Sequence, residues 1–352
     1  MPVRSDSLEA VENDTGGDVS HETVDGGGDR RRSAGRGRRV WLSQGISLLA
    51  GFVLAGLALL FLSEPVVEGG TGAVSWPEVG LPALPQTVPG FDEEALRTRI
   101  REIAEGHGGV YGVAVLEPGS RTWVSVRGDE EFMTASIGKL PTLATLYRAA
   151  ARGEVDLEEK IPILPGAKRS GAGELEDVPA GYSISLREYA YRLTNHSDNT
   201  AWVALDRRLG EERIRAELKG MGIESSRYHG YLSGYFATPQ DVVILLERIS
   251  DPRFTSEELS AEMLDAMTGT NVENRIPGKL PSDVRVAHKT GSWEGNFGDA
   301  GIVFYKDPSG DEKHYYIAVL ASGAGEGEAS DAIQEISLAV YEALTAQGEA
   351  AR

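Results

Sequence analysis

Strand-like sequence occurs in two blocks held far apart by a helical middle, and this separation limits the architectures open to the chain more than any other feature. The first block, YGVAVLEPGSRTWVSVRG (residues 111–128), reads as two strands joined by a turn at Pro118-Gly119. The second comprises VRVAHKTGSW (284–293), AGIVFYK (300–306) and HYYIAVLAS (314–322). Between the blocks, from residue 136 to about 267, helical patterns dominate, interrupted by loops at 162–181 and around 228–235. Leu96, Ile100 and Ile103 mark one helix before the first block. Ile333, Ile336, Val340 and Leu344 share a face of another after the second. The expected fold is α+β: one antiparallel sheet assembled from both ends and flanked by N- and C-terminal helices, with an all-helical subdomain beside it.

That domain is expected at residues 91–348. Residues 1–39 form a different region, rich in Asp, Glu, Gly and Ser up to residue 29 and too poor in large apolar groups to offset chain entropy. Arg30, Arg31, Arg32, Arg36, Arg38 and Arg39 then precede VWLSQGISLLAGFVLAGLALLFLS (40–63), which carries no charge. At 1.5 Å per residue this run crosses a hydrocarbon layer of about 30 Å, so it is expected to be one transmembrane helix. A cleaved signal peptide would have a shorter apolar core and a small-residue cleavage site, and a buried core helix would show a polar face. The arginines before the run, with Glu64 and Glu68 after it, put the N-terminus in the cytoplasm. Residues 64–90 carry Pro65, Pro77, Pro82, Pro85 and Pro89 among glycines and suit an extended tether. The expected location is therefore the cell membrane, single-pass, with the globular domain outside.

Composition excludes several chemistries. The 352 residues include no cysteine, and the six histidines are not spaced for zinc, so no metal or other cofactor is expected. Net charge is −19, and residues 91–352 hold 43 acidic against 28 basic residues. Such a surface repels phosphate backbones, which argues against nucleic acid as a partner.

Three short motifs carry the chemistry. Ser136 stands three residues before Lys139 in TASIGKL, and none of the other seven lysines has a serine at that spacing. On a helix the two side chains share a face, where a lysine of lowered pKa can take the serine proton; the alternative is a capped helix start with a solvated lysine. Pro141 sits awkwardly there, because it removes a backbone donor where intrahelical bonds begin. Ser197-Asp198-Asn199 follows 61 residues after Ser136 and offers a proton-relaying hydroxyl and a carboxamide, or simply a cap for the helix TAWVALDRRL. Lys289-Thr290-Gly291 ends a strand. Lys289 and Thr290 can bind a carboxylate, and Gly291 leaves a ligand room against the strand edge; alternatively the lysine protects an edge strand.

Taken in order, Ser-x-x-Lys, Ser-Asp-Asn and Lys-Thr-Gly resemble the signature of class A β-lactamases and penicillin-binding proteins. The resemblance runs from about Phe91 to Leu344. It implies that Ser136 is the acylated nucleophile, Lys139 its general base and Ser197 the proton donor to the leaving nitrogen. It further implies that Asn199 holds the substrate amide and keeps Lys139 in place, and that Lys289, Thr290 and Gly291 receive the substrate carboxylate end. Backbone N–H groups of Ser136 and Ser292 would form the oxyanion hole, worth roughly 3 to 4 kcal/mol per donor. The implied substrates are β-lactams or peptidoglycan peptides ending in D-Ala-D-Ala.

One family feature is missing. Class A β-lactamases carry a loop glutamate that activates the deacylating water, yet residues 225–239 contain no Glu or Asp. A positioned base contributes about 10²- to 10⁴-fold in rate, so acylation is expected to outpace deacylation, as in a D,D-peptidase. Glu224 lies too early in the chain. Glu294, Asp299, His229 and Tyr231 are the remaining substitutes, each with an ordinary surface or loop role as the alternative. A catalytically silent cell-wall-binding module is the second functional reading.

Overall fold

The computed structural model describes residues 91–346 apart from Pro308. The expected membrane helix at 40–63 and tether at 64–90 lie outside the described residues. The first helix, α1 (Glu93–Gly106), starts at Asp92, whose carboxylate accepts the Ala95 N–H, and it buries Leu96 and Ile100. Strands β1 (Val110–Glu117) and β2 (Thr122–Val126) follow as the expected hairpin. After β3 (Phe132–Met133), a 3₁₀ turn (Ala135–Lys139) leads into α2 (Leu140–Ala151). The helical part continues with α3 (Leu186–Thr194), α4 (Asn199–Leu209), α5 (Glu211–Gly220), the single turn α6 (Gly230–Ser233), α7 (Pro239–Ser250) and α8 (Glu257–Ala266). The chain then returns through β8 (Arg285–Trp293), β9 (Asn296–Lys306) and β10 (Glu312–Ser322) to α9 (Glu326–Thr345).

The two blocks meet where β1 pairs with β10, Val113 opposite Val319, in an antiparallel sheet of order β2-β1-β10-β9-β8. Both faces are covered. On β10, Tyr315, Ile317, Val319 and Ala321 belong to the core shared with α1 and α9, while Tyr316, Ala318 and Leu320 belong to the core shared with the helical part. A strand buried on both sides has no need of a polar face, which is why residues 314–322 read as an almost unbroken apolar run.

Two details differ from the sequence reading. Short ladders join β4 (Lys160–Pro162) to β5 (Ser183–Ser185), and β7 (Tyr235–Ala237) to β3 on one side and to β6 (Arg227–Tyr228) on the other; strands of two or three residues leave no periodic signal. Strand β9 starts at Asn296, not residue 300, because pairing with β8 runs right up to the turn at Glu294-Gly295 and overrides the weak strand propensity of Asn296, Gly298 and Asp299. Glu294 and Gly295 both take positive φ, 36° and 78°, as a two-residue hairpin turn of this hand requires.

Candidate active site

The site begins at the 3₁₀ turn. In a 3₁₀ helix residues i and i+3 eclipse, so Ser136 and Lys139 are stacked more directly than α-helical spacing would place them. Lys139 Nζ donates to Ser136 Oγ at 3.0 Å. Pro141, expected to obstruct the helix start, instead occupies the first turn of α2, where its missing N–H would have had no intrahelical partner anyway. Ala135 is held at φ 49°, a conformation that costs on the order of 1 to 3 kcal/mol and persists where surrounding packing imposes it.

Strand β8 imposes it. A Cβ on Gly291 would fall 2.3 Å from the Thr134 carbonyl oxygen and 3.2 Å from the Ser136 nitrogen. Glycine is thus required for close approach of the strand to the turn that carries Ser136, a reason the sequence alone did not show. As expected, β8 is an edge strand, but Lys289 does not guard that edge: it is buried, and its Nζ donates to the Thr290 carbonyl at 3.0 Å. Near its start the outer edge is paired, where the His288 N–H donates to the Met267 carbonyl at 2.8 Å. Strand alternation puts the N–H groups of half-buried Thr290 and of Ser292 on that same edge, facing the cleft.

The third component comes from the helical part. Ser197, at φ 55°, lies just before α4. Lys139 Nζ donates to the Ser197 carbonyl at 2.5 Å and to Asn199 Oδ1 at 2.8 Å, and it lies 3.0 Å from Ser197 Oγ. The capping alternative also holds, through Asp198: its Oδ1 accepts the Ala201 N–H at 2.8 Å, and its Oδ2 accepts those of Glu174 and Leu175 at 2.8 and 2.9 Å. Ser136, Lys139, Ser197 and Asn199 therefore share one hydrogen-bonded cluster, and Gly291 brings Lys289, Thr290 and Ser292 alongside it.

A sequence model of the beta-lactamase enzyme family matches residues 95–344. The chain belongs to the beta-lactamase enzyme family. This family member is 28% identical over 188 residues to a beta-lactamase of Bacteroides uniformis, across 46% of this chain and 61% of that protein, so the match spans less than two thirds of the relative. It is 23% identical over 215 residues to beta-lactamase VEB-1 of Pseudomonas aeruginosa, across 56% of this chain and 71% of that one. A beta-lactamase from Sphaerobacter thermophilus aligns with TM-score 0.66 at 25% identity, covering 74% of this chain and 98% of that chain. PBP-A aligns with TM-score 0.67 at 26% identity, covering 73% and 98%. A PBP-A variant solved as an acyl-enzyme complex with penicillin G aligns with TM-score 0.66 at 25% identity, covering 71% and 96%.

Electrostatics set the family motif to work. Burial pushes the Lys139 pKa well below the ordinary lysine value, the Lys289 ammonium adds to this, and Asp198 opposes it. The Ser197 carbonyl and Asn199 Oδ1 can only accept, so a neutral Lys139 amine would spend its two hydrogens on them and keep its lone pair for a hydroxyl proton. Lys289 is lowered to about 8, by burial first and with Arg275 contributing against the pull of Asp299. It stays cationic at neutral pH and can meet a carboxylate.

Sequence reasoning missed three residues of this family member's site. Arg275, 2% exposed, donates through Nη1 to the Gly291 and Gly298 carbonyls, both at 2.7 Å, and through Nη2 to Ser292 Oγ at 2.6 Å, so it braces the strand end next to the turn that carries Ser136. His288 lies fully buried with Nδ1 2.9 Å from both Asp299 oxygens. Trp202 carries its ring 5.2 Å from Lys139 Nζ, and its Nε1 donates to the Tyr228 hydroxyl at 2.9 Å. Trp202 had a signal, since it lies three residues after Asn199 on the same helix face; the other two had none before the strands were paired.

Positions considered for the missing base separate clearly. Asp299 is no surface residue: it is buried and held by His288 and by the Ile276 N–H at 3.0 Å. Glu294 sits at the hairpin tip, and His229 lies 4.0 Å from Glu211. Glu224 lines a separate groove with Arg215, Lys219 and His229. Tyr231 packs edge-on to Trp202 with ring centroids 5.5 Å apart.

The His288–Asp299 pair makes a stability prediction. Burial alone would lower the imidazole pKa, but the Asp299 carboxylate, helped by Glu273, raises it from 6.5 to about 9. Its stabilising contribution is complete below pH 6.5 and lost as pH rises through about 9, at most about 3 kcal/mol. His288→Gln is therefore expected to lower the melting temperature at pH 6 and to lower it much less at pH 10, as differential scanning calorimetry can measure.

Proposed function

We propose that this domain is an active-site serine hydrolase acylated at Ser136 by β-lactams or by peptides ending in D-Ala-D-Ala, and that it releases the acyl group slowly. The observation that carries this reading is the buried Lys139 amine, 3.0 Å from both Ser136 Oγ and Ser197 Oγ. Lys139 takes the Ser136 proton as Oγ attacks the substrate carbonyl. The N–H groups of Ser136 and Ser292 hold the oxyanion, and Ser197 passes a proton to the leaving nitrogen as the C–N bond breaks and an ester remains on Ser136. Lys289 and Thr290 bind the carboxylate. Asn199 Nδ2 gives one hydrogen to the Ser170 carbonyl and keeps the other for the substrate amide.

Slow release follows from residues 225–239, which supply no carboxylate to activate water. The reading includes a membrane anchor at 40–63 that holds the domain on the extracytoplasmic side, where such peptides lie; its support is the charge-free apolar run behind six arginines. The test is intact-mass spectrometry over time after adding penicillin G. The expected result is a gain of one whole penicillin per chain that persists for many minutes. Absence of any adduct would leave only a binding module, and turnover at tens per second would show that another base operates.

A further inference from the structure

The wall of the cleft opposite β8 is held by many hydrogen bonds yet almost bare. Residues 169–175 are pinned to the first turn of α4 by backbone contacts: the Arg169 N–H donates to Thr200 Oγ1 at 2.9 Å, the Asn199 N–H donates to the Ala172 carbonyl at 3.1 Å, and the Ser170 carbonyl and the N–H groups of Glu174 and Leu175 make the contacts given above. Side chains along this strip, Ser170-Gly171-Ala172-Gly173, reach no further than a hydroxymethyl group. The two glycines are there for different reasons. A Cβ on Gly173 would fall 2.1 Å from Asp198 Oδ2, so the Asp198 contact excludes one. A Cβ on Gly171 would meet Asn199 Nδ2 at 3.4 Å, an ordinary van der Waals distance, and only its φ of 98° disfavours a side chain.

Any side chain at 171 would therefore stand over the Asn199 carboxamide. Trp293 at the end of β8 is 55% exposed and lines a cavity of about 600 Å³ with Met133, Phe236, Glu130, Glu131 and Glu294, a mixed apolar and acidic surface.

We infer that Gly171 is a specificity-determining residue: by keeping the Asn199 side of the cleft bare, it admits acyl donors whose amide carries a branched, peptide-sized substituent. This rests on the acylation reading given under Proposed function. A donor with a small acyl group gains nothing from the open wall, whereas a peptidyl donor needs the space above the carboxamide. A single group introduced into such a pocket commonly shifts selectivity by about 10- to 200-fold.

The experiment measures acylation rates by intact mass for two penams with the same nucleus, one bearing an acetyl group on its 6-amino nitrogen and one bearing a branched tripeptide acyl group. Asparagine tolerates positive φ better than most residues, so Gly171→Asn is the test variant. Gly181→Asn is the control for strain, since Gly181 has φ 88° and open space around its Cβ position. Expected is a wild-type protein that takes both penams at rates within about threefold of one another. Gly171→Asn should keep the acetyl penam within about threefold and lose about tenfold or more on the tripeptide penam, while Gly181→Asn changes neither. Equal losses on both penams in Gly171→Asn, or a wild-type protein that already rejects the tripeptide penam tenfold, would overturn the inference. A wild-type protein that neither penam acylates would overturn the acylation reading itself.

Discussion

Ser136→Ala is expected to abolish the covalent penicillin adduct while leaving the fold in place. Among the described residues, two hydroxyls reach the buried Lys139 amine, and of these the Ser136 hydroxyl is the one backed by the Gly291 approach of β8. Removing it takes away the bond-forming atom, so what remains is at most the residual 10³- to 10⁴-fold over water, roughly, that binding and oxyanion donors alone sustain. The structural cost is small. Ser136 is half-buried and contributes a single hydrogen bond to Lys139, worth about 1 kcal/mol. Intact-mass analysis paired with a melting curve checks both halves, and an adduct of undiminished yield on a folded variant would move the nucleophile elsewhere.

Lys139→Met is expected to be nearly as damaging to the chemistry and more damaging to stability. Methionine matches the length and apolar body of the lysine, so it fills the same volume without the amine. Loss of the positioned base should slow acylation by about 10²- to 10⁴-fold. The variant also leaves the Ser197 carbonyl and Asn199 Oδ1 without their donor, and an unsatisfied buried acceptor costs about 1 to 3 kcal/mol. Ser136→Ala should therefore melt close to the wild type and Lys139→Met several degrees lower. The two variants separate the role of the amine as a base from its role as the central donor that ties the 3₁₀ turn to the start of α4.

The three motifs were legible because each is local: a serine and a lysine three apart, a polar turn before a helix, and a lysine at the end of a strand. Their convergence was legible only through order and through the expectation that both strand blocks enter one sheet. Several features were not. The 3₁₀ geometry at Ala135–Lys139 depends on Gly291, about 150 residues further on, pressing against the Thr134 carbonyl. Arg275 reads as an ordinary exposed arginine until β8 and β9 pair and present two glycine carbonyls to it. His288 and Asp299 lie on paired strands with His288 opposite Gly301, and the missing Cβ of that glycine makes room for the histidine; the pair cannot be seen before the register is known. Asp198 was read as a cap and nothing else, yet its second oxygen fixes the loop that walls the cleft.

The most direct measurement is the pH dependence of the acylation rate with penicillin in excess. A buried amine whose pKa is pushed well below the ordinary lysine value of 10.5 predicts an ascending limb set by Lys139 and complete well below that value. It also predicts a descending limb near pH 8 as Lys289 loses the charge that holds the substrate carboxylate. A rate that instead climbs steadily through pH 9 and 10 would mean that Lys139 is an ordinary ammonium at neutral pH and cannot be the base.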